Sequence, residues 1–133
     1  MLLYNLFRHS KDYIEIKAGE ALMREGESGE DMYVLIEGQA LIEYRGTCFA
    51  EIGPGDFAGE LAVIDRAPRM ASVIAKTDCR FVPITRKRFE FLIAETPRFS
   101  LEIMRVLAQR LRRTDELYAG REENSPSAGG CKD

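Results

Sequence analysis

Short apolar or alternating runs between residues 11 and 85 limit the possible folds of this chain more than any other feature. Glycines stand between these runs, where turns commonly need a positive φ. Glu37, Gly38 and Gln39 separate two of the runs and predict a tight hairpin. The predicted strands cover residues 13–16, 21–23, 32–37, 40–44, 48–52, 71–75 and 79–84. Many short strands with turns between them predict a sandwich or barrel, and we expect a jelly roll.

Helical patterns flank the predicted strands. Residues 1–10 carry apolar side chains at roughly helical spacing. Thr85 is the expected N-cap of a helix that continues to Ala94. Thr96 and Pro97 suit the cap and first position of a longer helix that ends near Tyr118. The sequence therefore predicts a mainly β protein with flanking helices: a jelly-roll β-barrel, or beta roll, followed by C-terminal helices.

Residues 57–73, FAGELAVIDRAPRMASV, set a carboxylate and a guanidinium among mostly small and apolar residues. Gly59 and Glu60 indicate a tight turn into a short helix, whose first N–H groups attract anions. Arg69 offers a guanidinium fork that matches phosphate oxygens. Because Glu60 would repel a phosphate, a hydroxyl beside that phosphate is its better partner. A phosphate beside Arg69 and a hydroxyl beside Glu60 would together describe a sugar phosphate, although either charge alone is more commonly structural.

The motif GEL-A followed by PR-M-A-S-V resembles the phosphate-binding cassette of the cyclic-nucleotide-binding domain family. The resemblance implies that Glu60 binds the ribose 2′-hydroxyl and that Arg69 binds the cyclic phosphate. It also implies that Gly59 and the backbone of Leu61 and Met70 assist. The short helix in this stretch would then be the helix of the cassette.

The resemblance extends over residues 13–118 and implies contacts with the base. It places Ile42 and Phe49 beside the purine, although both side chains are equally consistent with the core. It places Arg113, on the last helix, over the bound base. The commoner explanation for Arg110, Arg112 and Arg113 is a solvated face of that helix.

Two positions bear on the choice of base. Family members that favour cGMP often carry Ser or Thr directly after the cassette arginine, whereas this chain carries Met70. Leu117 stands where a family member offers a hydroxyl to adenine, so this hydrogen bond is not expected. We therefore expect cAMP rather than cGMP as the ligand, with base selectivity still open.

Size and charge exclude several classes of protein. A chain of 133 residues has the length of one domain, and a net charge of −3 does not favour binding to nucleic acid or an anionic membrane. No apolar run is long enough to span a bilayer and no signal peptide is evident, so we expect a cytoplasmic protein. The sequence has one histidine and no CxxC motif, and we expect no metal and no cofactor.

The sequence thus predicts a stand-alone sensor that binds cAMP more readily than cGMP and catalyses no reaction. Movement of its last helix over the pocket would signal to an unknown protein effector. By resemblance, the same helix could form a homodimer, since Leu101, Met104, Ala108 and Leu111 follow heptad steps. The alternative is an assembly module that has the same fold but no longer binds nucleotide. Residues 1–119 would form the domain, and residues 120–133 a disordered tail.

Overall fold

The computed structural model describes the backbone of residues 2–122 and the side chains of residues 2–113. Within these residues, eight strands form two four-stranded antiparallel sheets with the orders β1-β8-β3-β6 and β2-β7-β4-β5. The elements in chain order are α1 (Leu2–Phe7), β1 (Ile14–Ile16), β2 (Ala21–Met23), β3 (Met32–Glu37), β4 (Ala40–Tyr44), β5 (Thr47–Ile52), β6 (Phe57–Ala58), α2 (Glu60–Asp65), β7 (Ser72–Ala75), β8 (Cys79–Ile84), α3 (Arg86–Glu95) and α4 (Pro97–Glu122). The two sheets with flanking helices confirm the predicted jelly roll.

Strand β3 contributes to two hydrophobic clusters because successive side chains point to opposite faces of a sheet. Val34 packs with residues of the helices, among them Phe7, Val63 and Phe99. Its neighbour Leu35 belongs to the cluster between the two sheets. The first sheet is therefore covered by strands on one face and by helices on the other, which places α2 and α4 on the same side of the barrel.

The predicted hairpin at Gly38 is wrong. Strand β3 pairs with β6 and β8, whereas β4 pairs with β5 and β7, so the chain passes from one sheet to the other at this point. Gly38 has a φ of 95°, and a Cβ atom there would lie 2.3 Å from the carbonyl oxygen of Asp78. Close approach to another segment, combined with a positive φ, explains the glycine. The hairpin turn lies instead at Arg45 and Gly46, which join β4 to β5 with φ values of 53° and 79°.

Other differences are small. The two-residue strand β6 was not predicted, and β1, β5 and β7 begin one residue from their predicted starts. Thr85 caps α3 as predicted, since its hydroxyl accepts a hydrogen bond from the backbone N–H of Arg88 at 3.1 Å. Helix α4 continues through Gly120 to Glu122, beyond the predicted end at Tyr118. Residues 123–133 of the predicted tail lie outside the described residues.

None of the helices in residues 2–122 has the length and apolar character needed to cross a membrane.

Candidate functional site

Gly59 connects β6 to the short helix α2 in a left-handed conformation, with φ 80° and ψ 13°. An L-residue rarely adopts this conformation, so glycine is favoured there. A Cβ atom at this position would also lie 2.7 Å from Nη1 of Arg69. The glycine therefore sets the direction of α2 and leaves space for the arginine beside it.

The Arg69 side chain is buried, with 8% of its surface exposed. Its Nη1 donates hydrogen bonds to the carbonyl oxygens of Asp31 at 2.8 Å and Gly59 at 3.5 Å. The guanidinium carbon lies 5.8 Å from the centre of the Tyr33 ring. No Asp or Glu in the described part of the chain forms a salt bridge with Arg69. The groups that fix its position are therefore neutral.

Tyr33 lies next to this guanidinium on strand β3. Burial raises the pKa of Tyr33, and the negative charge of Asp31 acts in the same direction. The positive charge of Arg69 lowers this pKa but is the smallest of the three effects. The tyrosine is therefore a neutral neighbour of Arg69 at physiological pH.

Glu60, at the start of α2, is 9% exposed and forms a salt bridge with α4. Its Oε1 lies 3.3 Å from Nη1 of Arg110. Nη2 of Arg110 donates a hydrogen bond to the carbonyl oxygen of Phe57, and the guanidinium carbon lies 4.7 Å from the centre of the Phe57 ring. Arg110 thus joins α4 to both the strand and the helix on either side of Gly59.

Glu60 and Arg69 line one open cleft between α2, the second sheet and α4. The cleft contains about 410 Å³ of empty space, a volume that includes its opening to solvent. All the residues predicted to bind phosphate and ribose line it, together with Ile42. Its walls are Met23, Ile42, Ala58, Gly59, Glu60, Leu61, Ala62, Pro68, Arg69, Met70, Ala71, Val73 and Arg110.

Phe49 and Arg113, predicted to lie beside the base, line a second cavity between β5 and α4. The cavity also includes Gln109 and Arg110, and Arg110 borders both spaces. The structure therefore does not place Phe49 and Arg113 in the cleft that holds Glu60 and Arg69. The side chain of Leu117 is outside the described residues.

A family model described as "Cyclic nucleotide-binding domain" matches residues 13–96, more than half of the chain. This chain belongs to the cyclic-nucleotide-binding domain family. The match includes the whole cassette and all eight strands of the two sheets. The resemblance found in the cassette motif is thereby confirmed.

Two curated relatives illustrate the range of proteins that contain such a domain. The CRP-like cAMP-activated global transcriptional regulator of Mycobacterium tuberculosis is 36% identical over 111 residues, which cover 80% of this chain and 50% of the regulator. The potassium/sodium hyperpolarization-activated cyclic nucleotide-gated channel 3 of Mus musculus is 31% identical over 116 residues, which cover 84% of this chain and 15% of the channel. The chain spans half or less of the length of these relatives.

Solved structures show the same architecture. The structure of cAMP-bound PfPKA-R has 28% sequence identity and a TM-score of 0.70, and the match covers 80% of this chain and 36% of that one. The c-di-GMP responsive regulator CLP of Xanthomonas campestris has a TM-score of 0.74 at 20% identity, and the match covers 86% of this chain and 61% of that one. At this lower identity the likeness supports the fold alone.

Arg110 lines the cleft of this cyclic-nucleotide-binding domain, and the sequence interpretation did not place it there. The predicted solvated face is correct for Arg112, which is exposed, but wrong for Arg110. Phe99, Ile103 and Leu107 precede Arg110 at intervals of three or four residues and pack against the barrel. Continuing this spacing through Arg110 would have placed its side chain on the inner face of α4.

The described residues contain no group of three or more His, Cys, Asp or Glu side chains that could hold a metal ion. The buried charges of the cleft instead suit a ligand that is itself charged and carries hydroxyl groups.

Proposed function

We propose that this domain is a cytoplasmic sensor that binds cAMP in preference to cGMP and catalyses no reaction. The ligand would bind in the cleft between Glu60 and Arg69, and binding would change how α4 packs against the barrel. The signal would then pass to a protein effector through α4.

The observation that carries this proposal is that the buried Arg69 forms no salt bridge with any of the described residues. Burying a guanidinium is costly unless an opposite charge or hydrogen-bond acceptors compensate for the lost hydration. Arg69 has two carbonyl acceptors, and no carboxylate within 4.0 Å among the described residues. An anion entering the cleft would supply the missing charge, and a cyclic phosphate offers oxygens suited to a guanidinium.

Glu60 lies in the same cleft and suits a neutral hydroxyl donor. A carboxylate has about four lone-pair sites, so Glu60 can accept a ribose hydroxyl while Arg110 remains in contact. A phosphate next to Arg69 and a hydroxyl next to Glu60 together describe a ribose cyclic phosphate. Gly59 and the backbone of Leu61 and Met70, at the start of α2 and after Arg69, would complete the phosphate site.

The preference for cAMP rests on Met70 and on relatives. Met70 follows Arg69 and is 54% exposed, so no side-chain hydroxyl is available at this position. The name of the M. tuberculosis regulator describes it as cAMP-activated, and the PfPKA-R structure contains cAMP. Ile42, which lines the cleft, would contact the purine. Arg113 would approach it from the neighbouring cavity if α4 moves, and Phe49, on β5, borders the same cavity.

Signalling through α4 is supported by the contact between Glu60 and Arg110. The ligand would bind directly to a residue that already holds the helix. A change in the strength of this salt bridge on binding would bias α4 between two positions. The differential affinity of the ligand for the two positions sets the size of this bias.

A second candidate is an assembly module that does not bind nucleotide. It is favoured by the exposed apolar side chains of Leu101, Met104 and Leu111 on α4, which offer a contact surface without any ligand. A nucleotide sensor can use the same surface to form a homodimer. The two candidates therefore differ in nucleotide binding rather than in assembly.

Calorimetric titration with cAMP and with cGMP distinguishes these candidates, after chromatography has shown that no nucleotide copurifies. We expect saturable binding with higher affinity for cAMP. Arg69→Ala should abolish binding, whereas Arg112→Ala, on an exposed position outside the cleft, should leave it unchanged. A folded, nucleotide-free protein that binds neither ligand but still self-associates would favour the assembly module.

A further inference from the structure

We infer that Gly29 is a positioning residue for Arg69, because the absence of a side chain at Gly29 creates the space that the guanidinium occupies. The consequence for ligand binding rests on the proposed function, whereas the consequence for the position of Arg69 does not. Gly29 lies in the loop between β2 and β3, forty residues before Arg69 in the sequence.

The distances at Gly29 leave no room for a side chain. A Cβ atom there would lie 2.3 Å from Nη2, 2.5 Å from the guanidinium carbon and 2.5 Å from Nε of Arg69. These separations are well below van der Waals contact, so either the guanidinium or the loop would have to move. The same guanidinium also approaches Gly59, and thus packs against two glycines.

Backbone conformation does not explain Gly29. Gly59 has a φ of 80°, a value that favours glycine whatever lies nearby. Gly29 is not among the residues with a positive φ, so alanine could adopt its backbone conformation without comparable strain. The close approach of Arg69 is the remaining reason for a glycine at this position.

The loop cannot easily move away from the arginine. The backbone N–H of Arg69 donates to the carbonyl oxygen of Glu27 at 2.8 Å, and the N–H of Gly26 donates to the carbonyl oxygen of Arg69 at 2.8 Å. These two hydrogen bonds fix the loop to the backbone of the same residue whose side chain lies against Gly29. A methyl group at Gly29 would therefore displace the guanidinium from its carbonyl partner on Asp31 and from the ligand position.

A double-mutant cycle tests this position directly and needs no ligand. Gly29→Ala should lower the equilibrium constant for folding by about tenfold, because a buried charged hydrogen bond is disturbed. In the Arg69→Ala background the new methyl group has space, and the same substitution should change the constant by less than about twofold. Equal losses in both backgrounds would overturn the inference, because Gly29 would then act through the backbone alone.

Gly53→Ala is the matched control. Gly53 also lacks a positive φ, and a Cβ atom there would contact the flexible side chain of Gln39 at 3.1 Å, away from Arg69. The Nε–Hε resonance of Arg69 should shift in Gly29→Ala and stay in place in Gly53→Ala, both without ligand. An unshifted resonance in Gly29→Ala would contradict the inference.

Titration with cAMP separates this inference from the proposed function. If the unsubstituted protein binds cAMP, Gly29→Ala should bind at least about tenfold more weakly, and Gly53→Ala with unchanged affinity. Unchanged affinity in Gly29→Ala would overturn the inference while the proposed function stands. If the unsubstituted protein binds neither cAMP nor cGMP, the proposed function fails, and the double-mutant cycle and the Arg69 resonance still decide the role of Gly29.

Discussion

Glu60 and Arg110 lie 3.3 Å apart and connect the first residue of the cassette helix α2 to the middle of α4. Their side chains are 12% and 19% exposed, respectively. An ion pair removed from solvent in this way is screened less than a surface pair, but breaking it leaves a charge without its partner. The contact is therefore the structural link between a candidate ligand residue and the helix proposed to carry the signal.

Arg110→Gln should destabilise the domain by roughly 2–3 kcal/mol, because Glu60 would lose its cation and the Phe57 carbonyl would lose a charged donor. Urea denaturation monitored by circular dichroism measures the change in the free energy of unfolding. Hydrogen exchange should also become faster in α4 around residue 110, since the helix would be held less firmly to the barrel.

Arg105→Gln is the control for this substitution. Arg105 lies on the same helix and forms a salt bridge with Glu102 at 2.6 Å, but its side chain is 56% exposed. Exposed pairs contribute little, so this variant should remain close to the unsubstituted protein. Equal destabilisation by the two variants would show that the contact with Glu60 contributes no more to the free energy of unfolding than an exposed salt bridge does.

Tyr33→Phe should reduce the loss of stability at alkaline pH. The folded state raises the pKa of Tyr33, first by burial and then by the charge of Asp31, while Arg69 opposes this change. The folded protein therefore holds the phenolic proton more tightly than the unfolded chain does. Its contribution to stability is complete below the ordinary pKa and is lost as pH rises through the higher folded-state pKa.

Urea denaturation from about pH 8 to about pH 11 measures this effect, because the ordinary pKa of tyrosine is about 10. The free energy of unfolding should fall less steeply in Tyr33→Phe than in the unsubstituted protein. Burial also raises the pKa of Cys79, but this thiol is present in both proteins and its effect cancels in the comparison. Parallel curves would contradict the prediction. Tyr44→Phe, at a position 42% exposed, controls for loss of a phenol elsewhere.

The local sequence pattern predicted most of the strands correctly, but it did not predict which strands pair with each other. Apolar runs and intervening glycines locate the strands because side-chain alternation and positive φ are properties of neighbouring residues. Which sheet a strand joins depends on distant residues, and the predicted hairpin at Gly38 failed for this reason. Strand β6 was missed because two residues, Phe57 and Ala58, are too few to show a period.

The residues of the candidate site also fall into two groups, those predicted from the local motif and those missed. Gly59, Glu60 and Arg69 lie within eleven consecutive residues, and their motif predicted that they share a cleft, as the structure shows. Gly29 and Arg110 were missed because they are distant from the cassette in the sequence and only the folded chain brings them close to it. Gly29 has no side chain at the place where the Arg69 guanidinium lies, and this contact cannot be predicted from the residues next to Gly29 in the sequence. Arg110 is a charge on an otherwise apolar face of α4, and its partner lies fifty residues away.

Met104→Glu should convert a homodimer of this domain into a monomer. Leu101, Met104 and Leu111 are 62%, 58% and 65% exposed, and with exposed Ala108 they form a heptad stripe on the outer face of α4. Such a stripe is typical of helices that pack against a partner helix. A carboxylate at position 104 would be buried near the same group of a second copy, so the dimer should be lost.

Analytical ultracentrifugation of the two proteins measures this change. The unsubstituted protein should sediment as a dimer and Met104→Glu as a monomer, with cAMP affinity retained because Met104 does not line the cleft. Phe91→Glu is the matched control, since Phe91 is also 62% exposed but lies on α3, and it should leave the dimer intact. A dimer that persists in Met104→Glu but dissociates in Phe91→Glu would move the contact surface from α4 to α3. A monomeric unsubstituted protein would show that the apolar stripe does not support self-association on its own.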